Sequence, residues 1–415
     1  MLIPSIDLLD GKAVQLRQGN PDDKQVEVTD VMGLLDEFSL FGEVAIIDLN
    51  AALGRGDNRD LIGKMLKRCP CRVGGGIRDY DSARELLSQG ASKIIIGTAI
   101  DDDFIDKLPK DRIVAAIDVQ GDEILSHGWQ QGTQKNVFDE LTRLAERCGE
   151  FLYTQVHNEG LMQGVDSRRI ERVIQNSPVS VTVAGGITTA ADVALINALG
   201  GNCQIGMAVY TGKLTLAAAF TACVDFTKSA LIPTVVQDIH SKQVLMLAYS
   251  NAASLADAIK HRKGTYWSRS RNALWEKGLT SGNGQTLKRI DIDCDGDTLL
   301  FLVEQQGNAC HFERYSCFTS QQKTFSLDTL DNTLSKRLQQ AKNAAKAGSF
   351  TQQLFNDTSL QTAKLREECE ELIEAKTVTE SRWEAADVIF FALVMAKAKG
   401  VSVNDIVNEL SARSK

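Results

Sequence analysis

Short apolar runs punctuate the first half of the chain: LIPSID, VAIIDL, CRVGG, KIIIG, RIVAAID, FLYTQV, SVTVAGG and CQIGMAV. Runs of this length, rich in Val and Ile, predict buried β-strands. Between them the apolar positions recur at helical spacing, as in DSARELLSQG and NVFDELTRLAERC. Eight strands, each followed by a helix, within about 220 residues predict a (β/α)8 barrel rather than an open doubly wound sheet. The half-barrels repeat. IPSID with Asp7 recurs as AAID with Asp118, GGGI (residues 74–77) as AGGI (184–187), and IIIGTAI around Gly97 as QIGMAV around Gly206. All three pairs keep an offset of about 110 residues, the mark of an internal two-fold repeat.

After Thr211 comes the alanine-rich helical stretch LTLAAAFTACVDFTKSA, and the pattern changes at Leu231-Ile232-Pro233. PTVVQDI, VLMLAYS, GTYWSRS, LKRIDIDC, TLLFLVEQ and HFERYSCF then read as strands, in a small β-rich α+β unit. From Ser326 nearly everything has helical period, including LDTLDNTLSKRLQQAKNAAKAG and LQTAKLREECEELIEAK. Three units are expected: a barrel over residues 1–225, a β-rich unit over 226–322 and an all-α unit over 323–415.

Charge narrows the partners. The chain has 46 Lys and Arg against 54 Asp and Glu, a net charge of −8. That disfavours a nucleic-acid binder, for which only the short SRSR stretch speaks. With 43% hydrophobic and 24% charged residues the composition is that of an ordinary globular protein. No apolar run reaches the ~20 residues a bilayer span requires. The start MLIPSIDLLDGK, with a carboxylate at position 7, lacks the character of a signal or transit peptide. Nine cysteines, an odd number, point to a reduced, cytoplasmic compartment in which thiols are ligands or core.

Barrel chemistry sits at the C-terminal ends of strands. Asp7 and Asp118 end equivalent strands of the two halves and are expected to face each other across the mouth, as general acid–base work requires. Glycines after strands three, four, seven and eight are expected to cradle phosphates with backbone N–H groups at helix N-termini. Two such cradles around two carboxylates predict a long substrate with a phosphate at each end. The stretches IPSIDLLDGKAVQLRQG, VGGGIRD, IIIGTAI, AIDV with His127-Gly128-Trp129, and VAGGIT resemble the phosphoribosylformimino-aminoimidazole-carboxamide ribotide isomerases of histidine biosynthesis. The resemblance covers residues 1 to about 225 and implies an Amadori rearrangement of an aminoaldose to an aminoketose. It makes Asp7 one of the acid–base pair and Asp118 a second active-site carboxylate, with Thr154 nearby. It assigns the phosphates to Arg17, Gly76, Gly97, Gly186 and Gly206. Two positions depart from the family. Glu159-Gly160 stands where Asp-Gly supplies the general acid, and Asn50 stands where Asp is favoured. Glu159 keeps the carboxylate with one more methylene. The competing expectation is a barrel that serves only as a phosphate-binding or dimerisation scaffold.

In IDCDGD, Asp293, Asp295 and Asp297 alternate, with Cys294 between the first two. In an extended segment the carboxylates project to one side and the thiol to the other. Carboxylates suit Mg2+ and a thiolate suits Zn2+. A calcium loop is disfavoured, because Thr298 occupies the position that needs glycine. Cys310 and Cys317 add two thiols. Three ligands with an open fourth position make a catalytic zinc site, although three core cysteines would be spaced no differently. Arg269, Arg271 and Lys277 suit a phosphoribosyl group. WSRSRNALWEKG, TSGNGQ, DCDGD, and ACH with SCF closely resemble phosphoribosyl-AMP cyclohydrolase over nearly all of residues 230–318. That implies opening of the adenine ring by a zinc-activated water, with Cys294, Cys310 and Cys317 on zinc and Asp293, Asp295 and Asp297 on magnesium. It further implies His311 as a proton shuttle and a homodimer whose zinc site is shared between subunits.

In the helical tail, REECEE places Glu367, Glu368 and Glu371 on one helix and EAAD places Glu384 and Asp387 on the next. Spacings of three and four residues share a helix face. Facing acidic pairs would hold magnesium for a polyphosphate, while a solvated charged face has the same composition. With GSFTQQLFND and WEAADVIFFAL, residues 326–415 resemble phosphoribosyl-ATP pyrophosphohydrolase. The resemblances together imply three consecutive steps of histidine biosynthesis on phosphoribosyl nucleotides: loss of pyrophosphate, ring opening, and isomerisation.

Overall fold

The computed structural model describes residues 1–21, 23–126, 131–156, 164–318, 322–343 and 348–413. The chain divides into two compact units, one built on Met1–Gln322 and one on Lys323–Ser411.

The first unit opens with eight parallel strands: Leu2–Leu9, Val44–Asp48, Cys71–Gly74, Ala91–Ile96, Ile113–Gln120, Glu150–Gln155, Ser180–Ala184 and Asn202–Ile205. Each pairs with the next in chain order, and the eighth pairs with the first, closing a barrel. Alternation along each strand sorts its side chains. On the first, Leu2, Ile6 and Leu8 join the cluster beneath the helices, while Ser5 and Asp7 line the interior cavity. Halfway up, Ile95, Val114, Leu152 and Ala184 fill the barrel as an apolar plug.

Below that plug lies a charged floor. Arg72, 2% exposed, donates from Nε to Glu43 (2.7 Å) and from Nη1 to Glu150 (2.5 Å). Lys93 and the Thr182 hydroxyl also bond Glu150. Paired and hydrogen-bonded in this way, a buried carboxylate is tolerated. Burial raises the Glu150 pKa, but Arg72 and Lys93 outweigh it and hold the carboxyl below its usual range.

One expectation about the barrel's elements needs correction. CQIGMAV reads as strand throughout, yet the strand stops at Ile205 and residues Met207–Tyr210 are helical. Gly206, at φ −124° and ψ −96°, turns the chain between them. The hairpin extensions Lys12–Leu16 with Lys24–Val28, and Glu123–Ser126 with Gln131–Asn136, carry no apolar run.

The rest of this unit is a four-stranded sheet in the order Val244–Ser250, Ile232–Asp238, Leu299–Gln305, Gln285–Ile292. A separate hairpin pairs Thr265–Ser268 with Ala273–Glu276. The helix Ala252–His261 lies between strands, capped by Asn251 and Ser254 bonding each other's backbone N–H. HFERYSCF, read above as a strand, forms turns instead. The Cys310 N–H bonds the Arg314 carbonyl, and Glu313 takes φ +59°. One buried cluster runs from the barrel through Leu255, Ile290 and Phe301 of this region.

The second unit is helical among the described residues: Leu327–Asn343, Phe350–Asn356, Thr358–Glu374, Val378–Ala398 and Val403–Arg413. Its core is Leu334, Leu354, Phe391, Leu393, Val394 and Val403. Thr377 and Glu380 form a capping box at the start of Val378–Ala398. No described helix is long and apolar enough to cross a membrane, and all nine cysteines are free thiols.

Candidate functional site

At the C-terminal ends of the barrel strands lies a cavity of about 910 Å3. Asp7, Asp118, Thr154, Gly76, Gly97, Gly186 and Gly206 all line it. Asp7 and Asp118 belong to the first and fifth strands, four apart either way round the ring, so they stand on opposite walls. Thr154 is in register with Asp118 on the neighbouring strand. Arg17 is exposed on the turn Arg17–Gly19, whose neighbours Leu16 and Gly19 reach the cavity. Glu159 and the 127–129 triplet lie outside the described residues.

Burial pushes the Asp7 carboxyl up to about 6, against a smaller downward pull from the Ser5 hydroxyl, which donates to Oδ1 at 3.1 Å. Tyr210 donates in turn to the Ser5 carbonyl (3.1 Å). A carboxyl near neutrality is able both to take and to return a proton.

The four glycine turns are of two kinds. Gly75 and Gly76 (φ +98° and +70°) and Gly185 and Gly186 (+83° and +82°) hold the same left-handed conformation in both halves. A Cβ on Gly76 would fall 2.5 Å from the Ala51 carbonyl carbon, so no other residue fits. The helices that follow are capped by their own side chains, Asp79 and Thr189. Gly97 and Gly206, by contrast, directly open the short helices Thr98–Asp101 and Met207–Tyr210 without side-chain caps.

One further residue was not singled out by the sequence, and a second, Asn50, stood out there only as a departure from the family. Gln204 lines the cavity, and its amide oxygen is buried without a hydrogen-bond partner. The only signal in sequence is one amide inside an apolar run. Asn50 is buried and knits a loop together. Its amide nitrogen donates to Asp10 Oδ1 (2.9 Å), and its oxygen accepts from the Asp10 N–H (2.8 Å) and from Asn58 (3.0 Å). A carboxylate at 50 could not donate to Asp10, so the departure at this position has a local structural reason.

In the strand-rich region, Lys277 is buried and lies near Cys310 and Cys317. Burial lowers its pKa, against the opposing pull of both thiols. Burial, and then the adjacent Cys310, push the Cys317 thiol up. Arg269 stacks on Tyr249 at 3.9 Å, and Arg271 bonds the Ser268 hydroxyl. His311 is exposed and stacks on Phe312.

Among the described residues, two groups bring three ligand atoms within 4.8 Å of one another. They are Asp293, Asp295 and Asp297, and Glu368, Glu384 and Asp387. Cys294, Cys310 and Cys317 do not form such a group within one chain, and Cys294 is exposed on the acidic loop. Both carboxylate groups offer the hard oxygen donors that divalent cations take. In the second, desolvation and then the neighbouring Glu371, Glu368 and Asp387 raise the Glu384 pKa. Such crowding is what a cation would relieve. Glu367 is turned to Lys364 instead (2.8 Å).

Family models match the chain in three consecutive segments. They are a histidine biosynthesis protein model over residues 1–215, phosphoribosyl-AMP cyclohydrolase over 246–319, and phosphoribosyl-ATP pyrophosphohydrolase over 332–414. An imidazole-4-carboxamide isomerase of Methanocaldococcus jannaschii is 35% identical over 227 residues, 52% of this chain and 96% of its own. The histidine biosynthesis bifunctional protein of Bacillus subtilis is 38% identical over 195 residues, 45% of this chain and 93% of its own. The histidine biosynthesis trifunctional protein of Neurospora crassa is 33% identical over 343 residues, 81% of this chain. The chain spans only 22–36% of the length of the trifunctional relatives from Saccharomyces cerevisiae and Neurospora crassa. With one family model over more than half its length and two of the same pathway following in order, the chain belongs to the histidine biosynthesis protein family.

Proposed function

We propose that this chain performs three consecutive steps of histidine biosynthesis. The unit over residues 323–415 hydrolyses phosphoribosyl-ATP to phosphoribosyl-AMP and pyrophosphate. The unit over 226–322 opens the adenine ring, and the barrel over 1–225 isomerises the resulting aminoaldose to the aminoketose. The observation that carries this reading is the run of three matched segments: a histidine biosynthesis segment similar to an isomerase, then a cyclohydrolase and a pyrophosphohydrolase.

In the barrel, Asp7 is the base and Glu159 the acid, with Asp118 and Thr154 on the opposite wall. Gly76, Gly97, Gly186, Gly206 and Arg17 hold the two phosphates. Asp7 supports this assignment by its raised pKa within the shared cavity. In the middle unit, Cys294, Cys310 and Cys317 would hold zinc, which when bound supplies an activated water. Asp293, Asp295 and Asp297 would hold magnesium, His311 would move the proton, and Arg269, Arg271 and Lys277 would bind the phosphoribosyl group. Because Cys294 stands apart from the other two thiols within one chain, a homodimer that contributes Cys294 across the interface completes the set. In the helical unit, Glu368, Glu371, Glu384 and Asp387 carry magnesium for the triphosphate, with Glu367 at the edge. The free thiols fit a cytoplasmic protein.

The test is incubation of the purified chain with phosphoribosyl-ATP, Mg2+ and Zn2+, with chromatographic separation of the products. Aminoketose as the end product, lost in Asp7→Asn, is expected. Accumulated aminoaldose would instead reduce the barrel to a scaffold for a bifunctional hydrolase.

A further inference from the structure

The acidic loop that follows the strand Gln285–Ile292 is shaped by its own backbone and seated on the end of the barrel. Asp293 Oδ1 accepts from the N–H groups of Asp297 and Thr298, both at 3.0 Å, and the Asp293 N–H donates to the Thr298 carbonyl at 3.0 Å. At its tip Gly296 takes φ +77°, and a Cβ there would fall 2.7 Å from the Cys223 carbonyl oxygen. Only glycine allows so close an approach to the helix Leu216–Cys223. The Asp225 N–H then donates to the Gly296 carbonyl at 2.7 Å. Three residues further on, Lys228 reaches back into the loop. Its Nζ donates to the Asp295 carbonyl and to Asp295 Oδ2, both at 2.9 Å, and lies 3.7 Å from the Asp297 carboxylate.

We propose that Lys228 is a tethered counter-cation of this loop, which a divalent cation must displace on binding. Occupancy of the loop is thereby passed to the segment that joins the barrel to the strand-rich region. The inference rests on the reading of Asp293, Asp295 and Asp297 as a cation site. A divalent ion bonds carboxylate oxygens at roughly 2.0–2.6 Å, depending on the ion. One shared with Asp295 Oδ2 would stand within a few ångströms of the ammonium, and two like charges so placed exclude each other. The loop does not need Lys228 for its shape, because its own turn and the bond from Asp225 hold it. Removal of the ammonium therefore removes a competitor, and of the loop's supports only the bond to the Asp295 carbonyl. Lys228 is 42% exposed and water screens its charge. The gain in cation affinity is accordingly modest, about two- to fivefold.

The full-length chain tests this with Mn2+ as probe. Binding is followed by electron paramagnetic resonance of the free ion, in a Glu384→Gln background that weakens the C-terminal carboxylate group. Lys228→Met is expected to bind Mn2+ two- to fivefold more tightly, and Lys228→Arg, which keeps the charge, to bind as the parent does. A second readout is acylation of Lys228 by an amine-reactive ester, followed by peptide mass spectrometry. It is expected to rise several-fold when Mn2+ saturates the loop, and to be high without metal in Asp295→Asn. If Mn2+ binds the loop, is lost in Asp295→Asn, and yet neither affinity nor Lys228 reactivity changes, the tether is overturned and the cation site stands. If the loop binds no Mn2+, both fall.

Discussion

Asp7 illustrates how a barrel interior tunes one side chain. An ordinary aspartate titrates near pH 4, roughly two units below the value of about 6 that burial gives Asp7. As the proposed base, Asp7 must be ionised, so kcat/KM of the proposed isomerisation should fall about tenfold per pH unit below pH 6 and level off above it. Ser5→Ala removes the hydroxyl that favours the charged form, and should move this limb to higher pH, while Asp7→Asn should abolish the rate. A limb that ignores Ser5→Ala would refute the local origin of the shift. Asp7 and Asp118 were legible in sequence because each ends an apolar strand run, and that position alone specifies their direction. Gln204 and Arg72 were not, since a single polar residue inside such a run carries no sign of whether it faces inward. Lys228 was invisible for another reason: its partners lie 67 residues away.

At the scale of elements, apolar strands were legible and polar ones were not. The eight barrel strands announce themselves because both faces are covered, one by the interior and one by helices. The extension Gln131–Asn136 is largely exposed and so has no hydrophobic pattern to read. The helix Ala252–His261 was hidden between strand signals, although Leu255, Ala258 and Ile259 mark its buried face. The charged barrel floor shows what strand geometry can impose. Arg72 on the third strand bridges Glu43 and Glu150, which the sequence separates widely. Arg72→Met should cost about 3–5 kcal/mol in denaturant unfolding, because Glu150 stays buried with Lys93 as its one remaining cationic partner among the described residues. The sign with pH follows. Glu150 has a depressed carboxyl, so its stabilisation is present above the usual glutamate range near 4.3 and is lost as pH falls below it. The gap between parent and variant should narrow on acidification, and a constant gap would place the cost in packing rather than charge.

For the molecule as a whole, hydrophobic pattern divides the chain in three, whereas packing joins the first two parts. The helix Leu216–Cys223 buries Leu216, Ala219, Phe220 and Cys223 and lies against the helix Ala252–His261. The turn Ser39–Phe41 lies against the strand Gln285–Ile292, and Arg262 donates to the carbonyls of Asp36 (3.0 Å) and Glu37 (3.2 Å). Periodicity reports that a face is apolar but not which other face covers it, so this union could not be read from sequence. It has a thermal consequence. Calorimetry of the full chain should resolve two transitions, one for each compact unit. A chain ending at residue 225 loses the cover over its last helix and over Phe41, and should melt several degrees lower or aggregate. The helix and turn it uncovers are apolar, and burial contributes roughly 25 cal/mol per Å2. Should residues 1–225 instead melt as they do within 1–322, the shared cluster would contribute nothing, and the barrel would be an independent module with the strand-rich region merely resting on it.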